Sequence, residues 1–476
     1  MKTRIILKSL TAIFISLVLG GCAPILKFTK VENESVPGSF NNSQDTANIA
    51  SIKWKEYFND QNLAALIDTA LKNNQELNIT LQEIEISKNE IRARKGEYLP
   101  FVCLRGGAGL EKAGRYTRNG AVDESIDIKP GTKFPVPLPD YLFGAYASWE
   151  LDVWKKLRNA KKAAITRYLS SVEGKNFMVT NLIAEIARSY YELMTLDNQL
   201  EIIQRNIEIQ GNALQTIKQE KEAAKVTQLA VNRFEAQLLN TQNLQYDVHQ
   251  KIIETENRLN FLTGRYPQPI QRNSSAFNNI VIDSVFTGIP SELLEKRTDI
   301  RQAELNLKAA KLDVKVAKAN FYPSFKITAG AGFQSFSPAF IVNPESILLS
   351  FAGDLVAPMI NRNAIKAAYY SSNAKQIQAV YNYERTILNA YIEVVNQLSR
   401  INNFSKSYDT KSKEVDILNQ SITISNNLFK SARADYMEVL LTQREALESK
   451  IDLIEIKMKQ LNAKVNIYRA LGGGWN

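Results

Sequence analysis

The spacing of hydrophobic positions changes along the chain, and each change marks a different predicted element. Between 182 and 193 apolar residues recur at steps of three and four, which places them on one face of a helix, and 377–394 carries a similar stripe. In 141–154, YLFGAYASWELDVW, apolar and polar residues alternate instead. This period of two is typical of a β-strand with one apolar face. The sequence therefore predicts helices interrupted by strands.

Two of the predicted helices are very long. Proline is absent between Pro139 and Pro267 and again after Pro358, and glycine is scarce in both stretches. Without these helix breakers, we predict continuous helices over about 156–223 and 362–432. A helix of about 65 residues is roughly 100 Å long at 1.5 Å per residue. Such helices must pack along one another, as in coiled coils or the staves of a tube.

Four strands are predicted, and each has an apolar and a polar side. They cover about 101–116, 141–154, 324–336 and 346–357. The polar sides carry charged residues, which are Arg105, Glu150, Asp152, Lys326 and Asp354. Alternation alone fits a half-buried sheet in a soluble protein equally well, so it does not identify the solvent on the apolar side.

Aromatic residues at the strand ends favour a membrane. Those next to the helices are Tyr98, Trp154, Phe321 and Tyr322, and those at the far ends are Tyr116, Tyr141, Phe336 and Phe340. Two aromatic girdles that flank an apolar band are typical of transmembrane β-barrels. We therefore expect the five charged residues on the polar side to face a water-filled lumen.

The chain contains two tandem copies of one unit. Four pairs of similar segments occur in the same order: RNAKKAA (158–164) with RNAIKAA (362–368), GAG (107–109) with GAG (330–332), YYEL (190–193) with YIEV (391–394), and NRLNFLTG (257–264) with NIYRALGG (466–473). A period near two hundred residues indicates a duplicated domain. We assign the repeats to 59–266 and 291–476, joined by a linker over 267–290. Each reads as a helix, a β-hairpin and a long helix, which makes this an α+β membrane protein.

The number of strands predicts an oligomer. A membrane-embedded sheet cannot leave its edges open, because unpaired backbone groups are costly in lipid. The smallest membrane barrels have about eight strands, and this chain offers four. Identical copies must supply the remainder.

The first 22 residues resemble a lipoprotein leader. Basic residues precede a short apolar run, and the run ends in LGGC, which is similar to a bacterial lipobox. The resemblance predicts a signal peptide over 1–21 and a diacylglycerol and a palmitate on Cys22, followed by a lipid-anchored linker to residue 58. Two acyl chains hold a protein stably at a membrane.

Composition excludes several functional classes. The net charge is +10, but Lys and Arg are mostly interleaved with Glu and Asp, and no basic block with interleaved aromatics indicates a nucleic-acid partner. The single histidine, His249, lies in a helical pattern. The sequence has no glycine-rich phosphate loop, cysteine cluster or nucleophile elbow, so we expect neither an enzyme nor a cofactor or metal site.

Several segments together resemble the TolC-like outer-membrane factors of the lipoprotein branch. They are SWELDVWKKLR (148–158), IPSELLEKRTDI (289–300), AKANFYPSFKITA (317–329), YMEVLLTQREAL (436–447) and YRALGGGW (468–475). The resemblance implies a homotrimer with a twelve-stranded transmembrane β-barrel, continued by a periplasmic α-helical barrel. It also implies an outer-membrane exit duct that works with a periplasmic adaptor and an inner-membrane pump of the RND type.

The same resemblance places a periplasmic gate near 428–441. Glu438 matches a position where relatives carry a pore-lining aspartate, and Asp435 lies beside it. A ring of three carboxylates repels itself and attracts cations. The chain departs from the family pattern at Leu441, where a second aspartate is expected, and Arg433 is one place from the usual arginine. An ordinary solvated helix turn remains the alternative.

A lipid-anchored periplasmic coiled-coil tether without a pore is the competing interpretation of the whole chain. The polar strand faces argue against it, and conductance in a planar bilayer distinguishes the two.

Overall fold

The computed structural model describes residues 24, 26, 29–40, 48–280 and 286–475. The predicted signal peptide over 1–21 and the predicted lipid site Cys22 lie outside the described residues. Their assignment therefore stays a prediction.

The helices alternate with strands in the predicted order. The helices are α1 (Trp54–Phe58), α2 (Gln61–Asn73), α3 (Gln75–Tyr98), α4 (Arg118–Ser125), α5 (Lys156–Glu222), α6 (Gln228–Leu262), α7 (Glu292–Lys296), α8 (Thr298–Ala319), α9 (Asn363–Lys430) and α10 (Tyr436–Ala470). The strands are β1 (Phe101–Glu111), β2 (Asp127–Lys129), β3 (Thr132–Lys133), β4 (Leu138–Leu151), β5 (Ser324–Ser335) and β6 (Ile347–Val356). Helices α5 and α9 have 67 and 68 residues, as the absence of prolines predicts.

The chain forms two compact units, each built from both repeats. We name the first the sheet unit; it contains 85–169 and 305–381, together with the described residues up to Val31. The second, the helix unit, contains 32–84, 170–304 and 382–476. Compact units and sequence repeats therefore do not coincide.

The sheet unit contains a four-stranded antiparallel sheet in the order β1-β4-β5-β6. The register aligns Val102, Ala147, Ala329 and Phe351 across the four strands. Neighbours in register point to the same face, so the apolar positions of all four strands share one side. The separate β2–β3 hairpin lies in the connection between β1 and β4.

Two glycines allow the strands of the two repeats to meet. Gly144 of β4 is paired with Gly332 of β5. A Cβ added to Gly332 would lie 2.4 Å from the carbonyl oxygen of Phe143, and one added to Gly144 would lie 2.8 Å from that of Ala331. Neither distance is compatible with a side chain, so the β4–β5 pairing requires glycine at both positions.

The core of the helix unit is formed by the central part of α5 and the C-terminal halves of α6 and α10, together with α2. Its largest fully buried side chains include Tyr190, Leu193, Leu63 and Leu259. Apolar residues of α5 at 182–193 form the stripe that the sequence predicts.

The last helix of each repeat ends in the same way. Gly264 and Gly472 follow α6 and α10 with positive φ angles of 69° and 91°. A Cβ on Gly264 would lie 2.4 Å from the carbonyl oxygen of Asn73, and one on Gly472 would lie 2.7 Å from that of Lys296. These glycines correspond at an offset of 208, whereas the alignment of NRLNFLTG with NIYRALGG at 209 is wrong by one residue.

A polar side chain completes each closure. In the first repeat the amide nitrogen of Asn74 donates to the carbonyl oxygen of Leu262 at 2.9 Å. In the second, the guanidinium of Arg297 donates to the carbonyl oxygen of Ala470 at 2.9 Å and to both oxygens of Asp299. Arg297 also donates to Glu393 at 2.8 Å, and Arg469 donates to the same carboxylate.

Both predicted linkers contribute to the helix unit instead of spanning it loosely. In the first, 22–58, Trp54 belongs to the core, and Phe40 is buried and stacks on Tyr391 of α9 at 5.4 Å. In the second, 267–290, Phe277 is fully buried and Arg272 pairs with Asp197 at 2.5 Å. Buried aromatic side chains therefore hold described parts of both segments against the helix unit.

The first two strands differ most from their predicted bounds. Strand β1 ends at Glu111 instead of 116, and β4 runs from Leu138 to Leu151 instead of 141–154. Strand pairing sets both limits, because Phe101 to Glu111 pair in register with Ser148 to Leu138. Pairing with β5 extends β4 to Leu151, and residues 112–116 and 152–154 lie beyond both ladders.

Candidate functional site

The apolar face of the sheet is exposed. Leu104, Phe143, Leu349 and Phe351 have relative exposures of 75%, 57%, 76% and 79%. In water-soluble proteins, large apolar side chains are normally buried in the interior. A contiguous exposed patch of them marks contact with another surface. All four lie on the face that the alternation predicts as apolar.

The opposite face is polar and carries a row of charges. Glu150 of β4 is paired with Lys326 of β5, which is paired with Asp354 of β6. The ammonium group of Lys156 adds a second cation, 2.5 Å from the carboxylate of Glu150. Arg105 lies on the same face of β1, opposite Gly144. Four of the five residues predicted to face the lumen therefore share one side of the sheet.

Asp152 is the exception. It follows the last residue of β4, and its side chain is only 2% exposed. Burial opposes ionisation, but the backbone amides of Arg158 and Leu157 and the Arg158 guanidinium donate to the carboxylate, and together they lower the pKa of Asp152. Its placement on the polar strand face is wrong, because the carboxylate caps the first turn of α5.

Two acidic residues of the polar face were missed as candidates. Glu111 and Asp140 lie on the same side as Arg105 and Glu150, near the strand ends away from the long helices. Asp140 precedes the predicted start of its strand, and this explains the omission. Counting residues in steps of two from Glu150 finds it, because 140 and 150 have the same parity.

The aromatic residues next to the helices serve two purposes. Trp154 stacks on Tyr322 at 4.7 Å, and its indole nitrogen donates to the carbonyl oxygen of Pro323 at 2.8 Å. Phe321, by contrast, is only 2% exposed and packs against Tyr369 of α9. Its assignment to a membrane girdle is wrong, since it belongs to the packing between α8 and α9.

The turns after the two long helices have the same backbone geometry. Ala224 and Ala432 adopt left-handed conformations, with φ angles of 57° and 58°. The next amide, of Lys225 or Arg433, donates to the carbonyl oxygen five residues earlier, which closes the helix end. Glycine usually occupies the left-handed position, because an L side chain costs roughly 1–2 kcal/mol there.

The two turns are packed against each other in the helix unit. A small apolar cluster contains Leu214 and Ile217 of α5 and Val231 and Phe234 of α6, and Phe429, Tyr436 and Leu440 of the second turn pack against it. The guanidinium of Arg233 also lies 2.6 Å from the sulfur of Met437. The first-repeat turn therefore supports the second.

The three candidate gate residues lie together in the second turn. Asp435 is the N-cap residue of α10, but its side chain makes no capping hydrogen bond. Glu438 lies in the first turn of α10, and Arg433 precedes both. All three are exposed, and none forms an ion pair within the described part of the chain. Whether they line a pore remains a prediction.

The described residues offer little for other chemistry. They contain no group of three potential metal ligands, and His249 is exposed on α6 as expected. No helix among them has the length and apolar character that crossing a bilayer would need.

Comparison with known proteins gives a consistent result. The profile of the outer membrane efflux protein family matches residues 66–265 and 289–473. The chain is 28% identical to the solvent efflux pump outer membrane protein SrpC of Pseudomonas putida over 97% of both chains, and 24% identical to the probable outer membrane lipoprotein SilC of Salmonella typhimurium over 98% of both. Its fold is similar to the open state of the Neisseria gonorrhoeae MtrE outer membrane channel, with a TM-score of 0.81, 22% identity, and coverage of 96% of this chain and 99% of that one.

Proposed function

Because the chain belongs to the outer membrane efflux protein family, we propose that three copies form the exit duct of a tripartite efflux system, together with a periplasmic adaptor and an inner-membrane pump of the RND type. The family places the protein in the outer membrane and gives it a role in efflux. In the proposed trimer the sheets join into one twelve-stranded barrel, which a helical barrel continues into the periplasm.

The sheet itself carries this proposal. One face is apolar and exposed, the other holds charged residues, and β1 and β6 each have a single neighbouring strand. In lipid, the free edges of such a sheet must be paired. Pairing β6 of one copy with β1 of the next closes a barrel whose polar face surrounds water. A coiled-coil tether has no need of a sheet with these two faces.

Reconstitution tests the duct. Purified full-length protein added to a planar bilayer should produce uniform single-channel steps, and chemical cross-linking in detergent should stop at three subunits. Heat-denatured protein is the control. A folded sample that remains monomeric and gives no conductance would support the tether instead.

Removing both acids of the second turn should widen the effective pore. We expect Asp435→Ala combined with Glu438→Ala to raise single-channel conductance by about twofold and to weaken block by divalent cations, because a ring of carboxylates no longer holds cations in the path. The matched control removes two exposed acids of α9, Asp409→Ala with Asp416→Ala. Unchanged conductance in the first variant would leave these residues as ordinary surface positions.

Lipid attachment depends on Cys22. We expect Cys22→Ser to abolish incorporation of labelled palmitate, because the substitution removes the thiol that would be acylated. Cys103, the second cysteine, is exposed on β1, and Cys103→Ser should leave labelling intact. Labelling that persists without Cys22 would show that the lipobox assignment is wrong.

A further inference from the structure

Positive charge is concentrated where the helices meet the sheet. The twelve-residue segments next to the helix-side strand ends are 89–100, 152–163, 312–323 and 357–368. They hold four carboxylates and twelve cations, which are Arg92, Arg94, Lys95, Lys155, Lys156, Arg158, Lys161, Lys162, Lys315, Lys318, Arg362 and Lys366. We name these twelve cations the basic collar. Its net charge of +8 compares with +10 for the whole chain.

The other ends of the strands are nearly neutral. Segments 112–137 and 336–346 connect the strands on that side, and together they have a net charge of +1. The helix-side ends and the opposite ends of the strands therefore differ in charge, although both carry aromatic residues. An asymmetry of this kind indicates that the helix side meets an anionic surface.

Half of the collar is free to bind something else. Lys95, Lys155, Lys162, Lys315, Lys318 and Lys366 are exposed, and none forms an ion pair within the described residues. Other members have internal partners: Arg94 pairs with Glu90 and Glu97, and Arg158 with Asp152. Six unpaired ammonium groups repel one another, and this repulsion is relieved when anions lie between them.

We propose that the basic collar binds the phosphate headgroups of anionic phospholipids in the membrane leaflet on the helix side. The inference rests on the proposed function, in which the apolar sheet face crosses a bilayer. Trp149 and Trp154 lie at the helix-side end of β4, at the level where aromatic residues meet lipid headgroups. Clusters of four to eight cations beside a membrane-spanning segment bind anionic lipids, and each contributes about fivefold in affinity near the surface.

Two tryptophans of the sheet unit provide the readout. Trp149 and Trp154 are within reach of lipid at the collar, whereas Trp54 lies in the core of the helix unit and Trp475 near the chain end. The full-length protein is placed in mixed micelles with brominated phosphatidylglycerol or brominated phosphatidylcholine, whose bromines quench nearby indoles. The ratio of the two binding constants measures the preference for anionic lipid.

The test variant neutralises four collar lysines: Lys162→Gln, Lys315→Gln, Lys318→Gln and Lys366→Gln. The matched control makes the same change to glutamine at four exposed lysines near the C-terminal ends of α5 and α9, which are Lys218, Lys221, Lys225 and Lys430. We expect the wild type and the control to prefer phosphatidylglycerol at least about fivefold, and the collar variant to lose this preference to within about twofold. Raising salt to 0.5 M should weaken the wild-type preference, because the charges are screened.

Three results would overturn the proposal. These are equal quenching by both lipids in the wild type, an undiminished preference in the collar variant, and an equal loss in the control. A changed anion-to-cation permeability ratio in bilayers, without a lipid preference, would instead assign the lysines to the water path and to anionic solutes. Failure of the proposed duct would appear separately, as absence of conductance in the wild type.

Discussion

Replacing Arg297 with alanine should lower the free energy of unfolding by about 3–5 kcal/mol, because Asp299 loses its cation in a poorly solvated site and Glu393 loses one of its two arginines. The guanidinium side chain is only 8% exposed, and it joins Asp299, Glu393 and the last carbonyl group of α10. Chemical denaturation of the detergent-solubilised protein, followed by circular dichroism at 222 nm, measures the change.

Arg205→Ala is the matched control for this prediction. Arg205 pairs with Glu201 on the surface of α5 and is 73% exposed, so its loss should cost less than about 0.5 kcal/mol. Neutralising the partners as well, with Asp299→Asn and Glu393→Gln, should recover part of the stability lost with Arg297. A fall in the free energy of unfolding of less than about 1 kcal/mol for Arg297→Ala would mean that water enters the site. The contacts of Arg297 with the end of α10 would then not contribute to stability.

A methyl group on Gly332 should disrupt the junction between the repeats. Gly332→Ala places a Cβ 2.4 Å from the carbonyl oxygen of Phe143 and 2.5 Å from the Cα of Gly144, so one strand must move. Overpacking of this kind costs about 1–3 kcal/mol, and here it acts on paired backbone atoms that cannot rotate away. We expect a marked fall in the yield of pores and of the compact form on unheated gels.

Gly109→Ala isolates the steric part of this effect. Gly109 lies on the same polar face, in β1, and a Cβ there would meet no atom within 4 Å. Both substitutions change strand propensity equally, so the difference between them reports the contact with β4. Equal yields from the two variants would show that the β4–β5 pairing tolerates a side chain.

The periodicity of the sequence predicted faces but not register. With offsets of 223 and 204, the pair Phe101–Ser148 of the first hairpin corresponds to Ser324–Ala352, yet Ser324 pairs with Val356. The shift is four residues, and because four is even every side chain keeps its face. Alternation specifies which side is apolar, whereas backbone hydrogen bonding and the length of the connections decide which residues are opposite.

Contacts between segments that are distant along the chain leave no local sequence pattern and could not be predicted. Segment 289–300 carries a family resemblance, but nothing in it indicates that two of the partners of Arg297 lie 96 and 173 residues away. Asp152 and Phe321 were misplaced for a related reason. Each continues the alternation of a strand. In the structure, however, Asp152 caps the first turn of α5, and Phe321 packs between α8 and α9.

The segment between Cys22 and the helix unit limits how far the helix unit can lie from the predicted lipid anchor. The backbone amide of Asn33 donates to Glu384 at 3.1 Å and Phe40 stacks on Tyr391, so the described chain contacts the helix unit from Asn33 onward. The eleven peptide units between Cys22 and Asn33 can span at most about 40 Å. If Cys22 is acylated, each newly made chain is confined to a thin layer above the bilayer before its strands insert. Its diffusion toward the two other copies of the proposed trimer is then two-dimensional, which raises their effective concentration without any additional contact.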